Sequence, residues 1–406
     1  MALKHAELVA RRAFVNKSRT LMVTAGAVGL LLVQAAWLLA PSSPPSPQTK
    51  LQTSLPPEAL LPGAAPTRRA ATSCSERVEV HLVGACEALL TIQQDCTDPG
   101  GASELNRLAK DKIRGVLPRG EMLRELVEAN GDPIPNDAYL PDKVWALADT
   151  QQFVFPTCTV GHVYSKALPS EDYRVLNLTV ESTSPRVLTV ENFLSPEECA
   201  EIIETSKRLL STSTVSQQGS ATAGSKTDQS RTSSTAWLSP QSYPTAQRLR
   251  KRVSEMVGIP CCEGRTDTER RVVFEDLQTL RYQIGQHYHT HHDYFDPLLF
   301  AAYNQEDGRN RFITVLFYLT DVEEGGETAF PMTGDPRPLR SYTECNRGLK
   351  VRPKQGKAVL FYSLNERADK LDESSWHAGC DVIKGTKWGA NFWITLKGVH
   401  PLKAKH

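Results

Sequence analysis

The 406-residue sequence has no surplus of charge of either sign, since 47 lysines and arginines face 46 aspartates and glutamates. Without a basic excess there is no electrostatic footprint for a phosphate backbone, and nucleic acid drops out as a partner class. Cysteine is also sparse and badly spaced for a ribbon. Nine are too few for a disulfide-dense mini-protein, and the only close pair, Cys261 and Cys262, is adjacent rather than spaced as CxxC. No internal repeat is present. What is there, 40% hydrophobic and 23% charged residues, describes a globular chain too long for one compact core, so two or more units are expected.

One long apolar run stands out. Leu21–Ala40 (LMVTAGAVGLLLVQAAWLLA) carries no charge and is long enough, at about 1.5 Å per helical residue, to cross a hydrocarbon core of about 30 Å. It exceeds the usual apolar region of a cleaved signal peptide, about 7–15 residues, so an uncleaved signal-anchor is expected. Lys4, Arg11, Arg12, Lys17 and Arg19 precede it and PSSPPSP follows, which places residues 1–20 in the cytosol and everything after Ala40 in a lumen where disulfides persist. The expected location is the membrane of the endoplasmic reticulum or Golgi, single-pass, with the rest of the chain lumenal. Asn177-Leu178-Thr179 is a glycosylation sequon in that topology.

Residues 41–73 contain eight prolines and few large apolar side chains, a stalk composition. Residues 74–184 hold Cys74, Cys86, Cys96 and Cys158, for which three pairings are possible, with helical patterns around Glu104–Leu117 and Glu121–Ala129. Their role is open between a docking module and a spacer, the spacer being the simpler account. From about 185 to 400 the patterning sharpens. Ser195-Pro196-Glu197-Glu198 combines an N-cap, a first-turn proline and a glutamate at the third position, opening a helix with an apolar stripe of Cys199, Ile202, Ile203, Leu209 and Leu210. Ser211–Ser234 is rich in Ser, Thr, Gln and Gly and suits a long mobile loop. Strands follow at Leu280–Ile284, Phe312–Leu319, Ala358–Tyr362 and Trp388–Leu396. Helices gathered before strands predict an α+β domain on a largely antiparallel sheet or sandwich.

The richest polar cluster is GQHYHTHHDYF, Gly285–Phe295. His291-x-Asp293 puts two ligand-type residues on one face of an extended chain. The pattern alone recurs by chance in many sequences, and His287, His289 and His292 compete as ligands. The best third ligand is His377 in SSWHAGC. Two histidines and a carboxylate on one octahedral face, with three positions open, suit a non-haem Fe(II) oxygenase, leaving room for a 2-oxo acid and dioxygen. Lys387 strengthens the case. Counting by two from it puts Lys387, Gly389, Asn391, Trp393 and Thr395 on one strand face and Trp388, Ala390, Phe392, Ile394 and Leu396 on the other. A cation, an amide and an indole make a poor core but a sensible pocket wall for an anion, and the distal carboxylate of 2-oxoglutarate would give a buried lysine its counter-charge.

These segments, with Phe193–Cys199 (FLSPEEC), Arg231–Leu238 (RTSSTAWL), Leu280–Phe295, Thr314–Pro331 (TVLFYLTDVEEGGETAFP), Gly348–Leu364 and His377–Ile394, resemble in order and spacing the prolyl 4-hydroxylases of the Fe(II)/2-oxoglutarate dioxygenase superfamily. The match, over roughly 185–398, is similar to the membrane-anchored plant and algal type and to the catalytic domain of the collagen enzyme. The resemblance implies a double-stranded β-helix (jelly-roll) core with flanking helices. It implies iron at His291, Asp293 and His377, with 2-oxoglutarate held by Lys387 and Tyr282. It further implies a proline-rich polypeptide along Arg311, Tyr288 and Trp393, with hydroxylation at C4 of proline coupled to decarboxylation of 2-oxoglutarate to succinate, O2 as oxidant and ascorbate as rescuing reductant. Relatives often read W-S-A-T-K-W-I-H where this chain reads Trp388-Gly-Ala-Asn-Phe-Trp-Ile-Thr395, so Phe392 and Thr395 replace a lysine and a histidine, and Thr395 is expected on the pocket face. A lysyl hydroxylase shares the ligands but places arginine at the position of Lys387. A catalytically dead module gripping proline-rich chains is disfavoured by the complete ligand set. Cys345 and Cys380 lie close enough to the catalytic strands to pair. Oligomeric state is not legible.

Overall fold

A computed structural model describes residues 75–97, 101–117, 120–216, 225–261, 272–296, 299–300, 310–334, 344–367 and 369–396. The expected cytosolic tail, the anchor Leu21–Ala40, the stalk and Cys74 lie outside these residues, as does Cys262. Among the described residues no helix is long and apolar enough to cross a membrane.

The chain first builds a four-stranded sheet from β1 (Arg77–Leu82), β2 (Ala88–Gln93), β3 (Leu123–Val127) and β4 (Lys143–Ala148), in the order β2-β1-β4-β3, with helix α1 (Gly101–Arg114) between β2 and β3. Strand β3 occupies part of the segment where a second helix was expected. Leu123, Leu126 and Val127 satisfy a helical spacing as well as a strand's. Antiparallel pairing with β4 decides the matter, with Gly131 at φ 80° in the turn that follows. Along β4 the side chains alternate: Val144 and Ala146 enter a small core with Ile113 of α1, whereas Trp145 and Leu147 enter the large core of the remaining chain.

Next come β5 (Val163–Leu168), β6 (Arg174–Thr183), β7 (Arg186–Val190), α2 (Pro196–Lys207), β8 (Ser211–Thr212), β9 (Val215–Ser216), β10 (Ser225–Lys226), β11 (Ser234–Leu238), α3 (Pro244–Val257), β12 (Val272–Phe274), β13 (Leu277–Tyr282) and β14 (Tyr288–His291). The chain closes with β15 (Asn310–Tyr318), β16 (Glu324–Gly325), β17 (Thr328–Phe330), β18 (Leu349–Val351), β19 (Ala358–Tyr362), β20 (His377–Gly379), β21 (Val382–Lys384) and β22 (Lys387–Leu396). Ten strands form one sheet, β5-β6-β7-β19-β15-β22-β13-β11-β8 with β12 added to β22, and β14-β20-β17-β18 form a second. Among the described residues the strand pairings in these two sheets are antiparallel. This mostly β, antiparallel architecture is consistent with the expected jelly-roll core.

The boundary drawn at residue 185 falls inside a sheet. Strands β5 and β6 continue the row through β7, and the backbone N–H of Phe155 donates to Tyr362 Oη at 3.1 Å. The region before residue 185 is thus not a free spacer: Phe153, Val154 and Phe155 lie in the large core, and Cys86–Cys158 cross-links it. Helix α2 starts where the capping motif put it. Ser195 Oγ accepts from the Glu198 N–H and the Ser195 N–H donates to Glu198 Oε2, a reciprocal cap whose loss typically costs about 1 kcal/mol. The helix ends at Lys207, so Leu209 falls beyond it and is exposed. Cys199 and Ile202 of α2 and Leu249, Val253 and Met256 of α3 join the alternate residues Trp388, Ala390, Phe392, Ile394 and Leu396 of β22 in one core.

The segment Ser211–Ser234 is not one long loop. Strand β8 pairs with β11 and β9 pairs with β10, while Ser213, only 1% exposed, shares its hydroxyl with Ser233 at 2.8 Å. Paired hydroxyls take the place of apolar contacts there, which is why the composition reads as loop. Residues 217–224 of the segment lie outside the described residues.

Candidate metal centre and cosubstrate cavity

The second sheet assembles the ligands. His291 ends β14 and His377 begins β20, and the two are direct cross-strand partners with ring centroids 4.3 Å apart. Asp293 follows two residues beyond His291. Its Oδ1 is 3.7 Å from His291 Nε2 and its Oδ2 is 3.6 Å from His377 Nε2, and one ligand atom from each of the three residues lies within 4.8 Å of the others. The ring nitrogens are sorted by the backbone: His291 Nδ1 donates to His289 O at 2.8 Å and His377 Nδ1 to Ser375 O at 3.0 Å, which leaves each Nε2 lone pair facing the centre. Asp293 accepts from Thr314 Oγ1 at 2.7 Å. Burial by itself would raise the Asp293 carboxyl, but His377, His291, Arg311 and the Thr314 hydrogen bond together hold it below the usual carboxylate range. Burial and the neighbouring His377 push His291 down, keeping its imidazole neutral. Two imidazoles and one carboxylate, oriented by partners behind them, make a donor set that fits Fe(II).

The other histidines of the cluster do not join. His287 Nδ1 pairs with Asp381 at 2.9 Å and its ring stacks on His289, while His292 Nε2 donates to Glu373 O at 3.1 Å between the rings of Tyr294 and Trp376.

Beside the three ligands a cavity opens, walled by Lys387, Tyr282, Thr328, Gly389, Asn391 and Trp393 among others. Strand β22 supplies four of these six because its alternate residues face away from the core. Lys387 is 4% exposed and, among the described residues, has no carboxylate within salt-bridge distance. Its ammonium stands 5.4 Å from the Tyr282 ring and 5.5 Å from the Tyr318 ring. Burial pulls it down to about 8, opposed only by the more distant Glu327. A buried cation held by two aromatic faces and no anion is a receptor for a carboxylate. Tyr282 pairs directly with Lys387 across β13 and β22.

A broader cleft continues from the cavity. Tyr288 stacks on His291 at 3.7 Å under the guanidinium of Arg231, which is 4.6 Å from its ring centre. Trp393 borders both spaces and lies 6.1 Å from the half-exposed Trp237. Arg311 lies flat on Trp393, 3.4 Å from its centroid, with Nε and Nη2 each 2.8 Å from the Glu275 carboxylate. It therefore meets the cleft as a paired guanidinium rather than a lone cation. Thr395 is not on the pocket wall: it is fully buried and its hydroxyl donates to Glu275 Oε1 at 3.0 Å, because β12 pairs against the last residues of β22 and closes over that end.

Several of these residues were not singled out from sequence. Thr314 is the one short polar side chain in the otherwise apolar and aromatic run Phe312–Leu319, a visible oddity. Thr328, which accepts from Tyr318 Oη at 2.7 Å, and Glu275 carry no sequence pattern of their own. Cys345 and Cys380 form a disulfide immediately after the His377 strand.

A sequence model described as the 2OG-Fe(II) oxygenase superfamily matches residues 277–395. Probable prolyl 4-hydroxylase 10 of Arabidopsis thaliana is 41% identical over 220 residues, covering 53% of this chain and 70% of the relative. Prolyl 4-hydroxylase 1 of the same plant is 38% identical, over 54% and 71% respectively. Among solved structures, a viral collagen prolyl hydroxylase from Paramecium Bursaria Chlorella virus-1 in a 2-oxoglutarate complex aligns with 26% identity and TM-score 0.36, covering 52% of this chain and 96% of that one. At 41% identity over more than two thirds of a relative's length, with the ligand triad inside the matched span, the chain belongs to the prolyl 4-hydroxylases of the 2-oxoglutarate–Fe(II) oxygenase superfamily.

Proposed function

We propose that the protein hydroxylates C4 of proline residues in a proline-rich polypeptide, with 2-oxoglutarate as cosubstrate. The observation that carries the reading is the pairing of a His291–Asp293–His377 centre with a buried, anion-free Lys387 in one cavity. His291, Asp293 and His377 would hold the iron. Lys387 binds the distal carboxylate of 2-oxoglutarate, with Tyr282 and Thr328 as hydroxyl partners beside it. Iron, 2-oxoglutarate and O2 supply the oxidative decarboxylation to succinate and the oxygen that enters the C–H bond. Ascorbate serves as reductant for iron oxidised without product.

Around that chemistry the chain positions the substrate. Tyr288 and Trp393 offer aromatic faces to pyrrolidine rings, and the flat Arg311 faces peptide carbonyls. A polyproline II segment is already ordered and loses little entropy on docking. The cavity wall is apolar on the side of the buried Phe361 and Leu280.

The same reading places the protein in the secretory pathway as a single-pass membrane protein of the endoplasmic reticulum or Golgi, catalytic part lumenal. The apolar run Leu21–Ala40 with its basic flank supports this, as do Cys86–Cys158 and Cys345–Cys380, bonds that persist in an oxidising compartment. The test is incubation of the lumenal part with Fe(II), 2-oxoglutarate, ascorbate and a proline-rich peptide. Succinate and a one-oxygen mass gain on proline are expected, and decarboxylation confined to a lysine-bearing peptide would reassign the substrate.

A further inference from the structure

Among the described residues the cavity wall carries three buried side-chain donors without a hydrogen-bond partner, Arg231 Nε, Trp393 Nε1 and Asn391 Nδ2, and of the two on β22 Asn391 is the nearer to Lys387. Asn391 is 4% exposed, lines the cavity, and its Nδ2 has no hydrogen-bond partner among the described residues. Its cross-strand neighbours do not satisfy it. Leu316 on β15 is apolar, and on β13 the side chain of Gln278 accepts from Arg231 Nη2 at 2.9 Å. Buried amide donors in folded proteins almost always have partners, so an orphan aimed into a binding cavity marks where a ligand acceptor belongs.

The register says which acceptor. Asn391 and Lys387 share a face of β22, about 13 Å apart along the strand at about 3.3 Å per residue. Gly389 lies between them on that face and lines the cavity with backbone alone, since a Cβ there would meet Phe317 O at 3.3 Å and Leu316 Cδ1 at 3.9 Å. The Lys387 ammonium leans over this glycine, since one of the rings it faces is Tyr318, the cross-strand partner of Gly389. At the other end Trp393 pairs with Thr314, whose hydroxyl holds Asp293. Asn391 therefore lies toward the metal-ligand end and Lys387 at the far end. Resting on the 2-oxoglutarate reading above, we propose that Asn391 Nδ2 donates a hydrogen bond to the carboxylate beside the keto group of 2-oxoglutarate, while Lys387 takes the distal carboxylate. The cosubstrate is then read at both ends by one strand.

The test uses the purified protein loaded with Fe(II) without oxygen, titrated with 2-oxoglutarate by calorimetry while the visible absorption band of the Fe(II)–2-oxo acid complex is recorded. Asn391→Ala should weaken binding about tenfold and move the band, with iron affinity unchanged. Asn391→Asp keeps the shape of the amide and carries the test if the alanine variant does not fold. It should bind more weakly still, because a carboxylate would face a carboxylate. Lys387→Ala should weaken binding without moving the band. Binding within about twofold of the parent in Asn391→Ala with an unmoved band, or tight binding by Asn391→Asp, overturns the assignment. Failure of the parent protein to bind 2-oxoglutarate would instead overturn the functional reading beneath it.

Discussion

His291 and His377 are direct cross-strand partners, and the backbone carbonyls of His289 and Ser375, each two residues before its histidine, fix both rings in the same tautomer. The placement of the two histidine ligands is thus a property of β-sheet register rather than of loop placement. A slip of one residue in β20 would turn His377 to the other face.

Removing a ligand should remove the centre. Asp293→Ala, His291→Ala or His377→Ala should each lower turnover at least about hundredfold and cut iron retained after desalting, since two remaining ligands leave a weak site. Replacing His287, His289 or His292, which have other partners, should leave iron content near that of the parent. Metal analysis beside activity separates the two outcomes.

Breaking the cosubstrate contact should act on affinity. With 2-oxoglutarate bound, Lys387→Ala leaves an unpaired carboxylate in a buried site, a loss of about 3–5 kcal/mol, so the 2-oxoglutarate requirement should rise steeply while iron is retained. Lys387→Arg should recover only part, because its forked head is longer and differently shaped. An unchanged Michaelis constant in Lys387→Ala would remove Lys387 from the site.

The pH dependence follows from the same residue. Burial brings the folded, ligand-free Lys387 from 10.5 down to about 8. Below that pH the ammonium is present and 2-oxoglutarate affinity should be nearly flat. As pH rises through 8 binding must recruit a proton, and affinity should fall toward tenfold per unit. Calorimetry in buffers of different ionisation enthalpy should show proton uptake above pH 8. Between about 8 and 10.5 the unfolded chain holds this proton and the folded one does not, so the ligand-free protein should gain stability as pH rises across that window. Lys387→Met should abolish both effects.

Arg311→Ala should depress peptide hydroxylation far more than 2-oxoglutarate binding, because the guanidinium lies on Trp393 at the cleft and not beside Lys387. Glu275→Gln, which weakens the pair holding Arg311 flat, should raise the peptide Michaelis constant in the same direction by a smaller factor. Equal loss of peptide and 2-oxoglutarate affinity would place the peptide elsewhere.

Location has its own test. Asn177 is exposed on β6, with Thr179 two residues on, so a lumenal chain should carry a glycan there. Treatment with peptide N-glycosidase should lower its mass, and protease added to sealed microsomes should spare the catalytic part. Digestion under those conditions would reverse the topology.

Much of the site was legible because its chemistry sits on regular strands. Spacing puts His291 and Asp293 on one face, and counting by two along β22 puts Lys387 with Asn391 and Trp393. The family resemblance supplied the joint assignment with His377, and the core-facing set Trp388 to Leu396 packs as the count requires. What escaped was decided by tertiary contact. Thr395 shares the parity of Lys387 but is covered by β12, and Arg311 shows its partner Glu275 only in the fold. The segment Glu121–Ala129 satisfied two periodicities at once, and only pairing with β4 selects strand. The sheet extends back through β5 and β6 to residue 163 because those strands are held by long-range pairing that no local pattern announces.

Amino-acid analysis of a proline-rich peptide after reaction, with succinate measured in the same tube, tests the central claim most directly. The account predicts 4-hydroxyproline and succinate in equal amounts from the parent protein, and neither from Asp293→Ala. Hydroxylysine without 4-hydroxyproline, or tight peptide binding with no succinate, would contradict it.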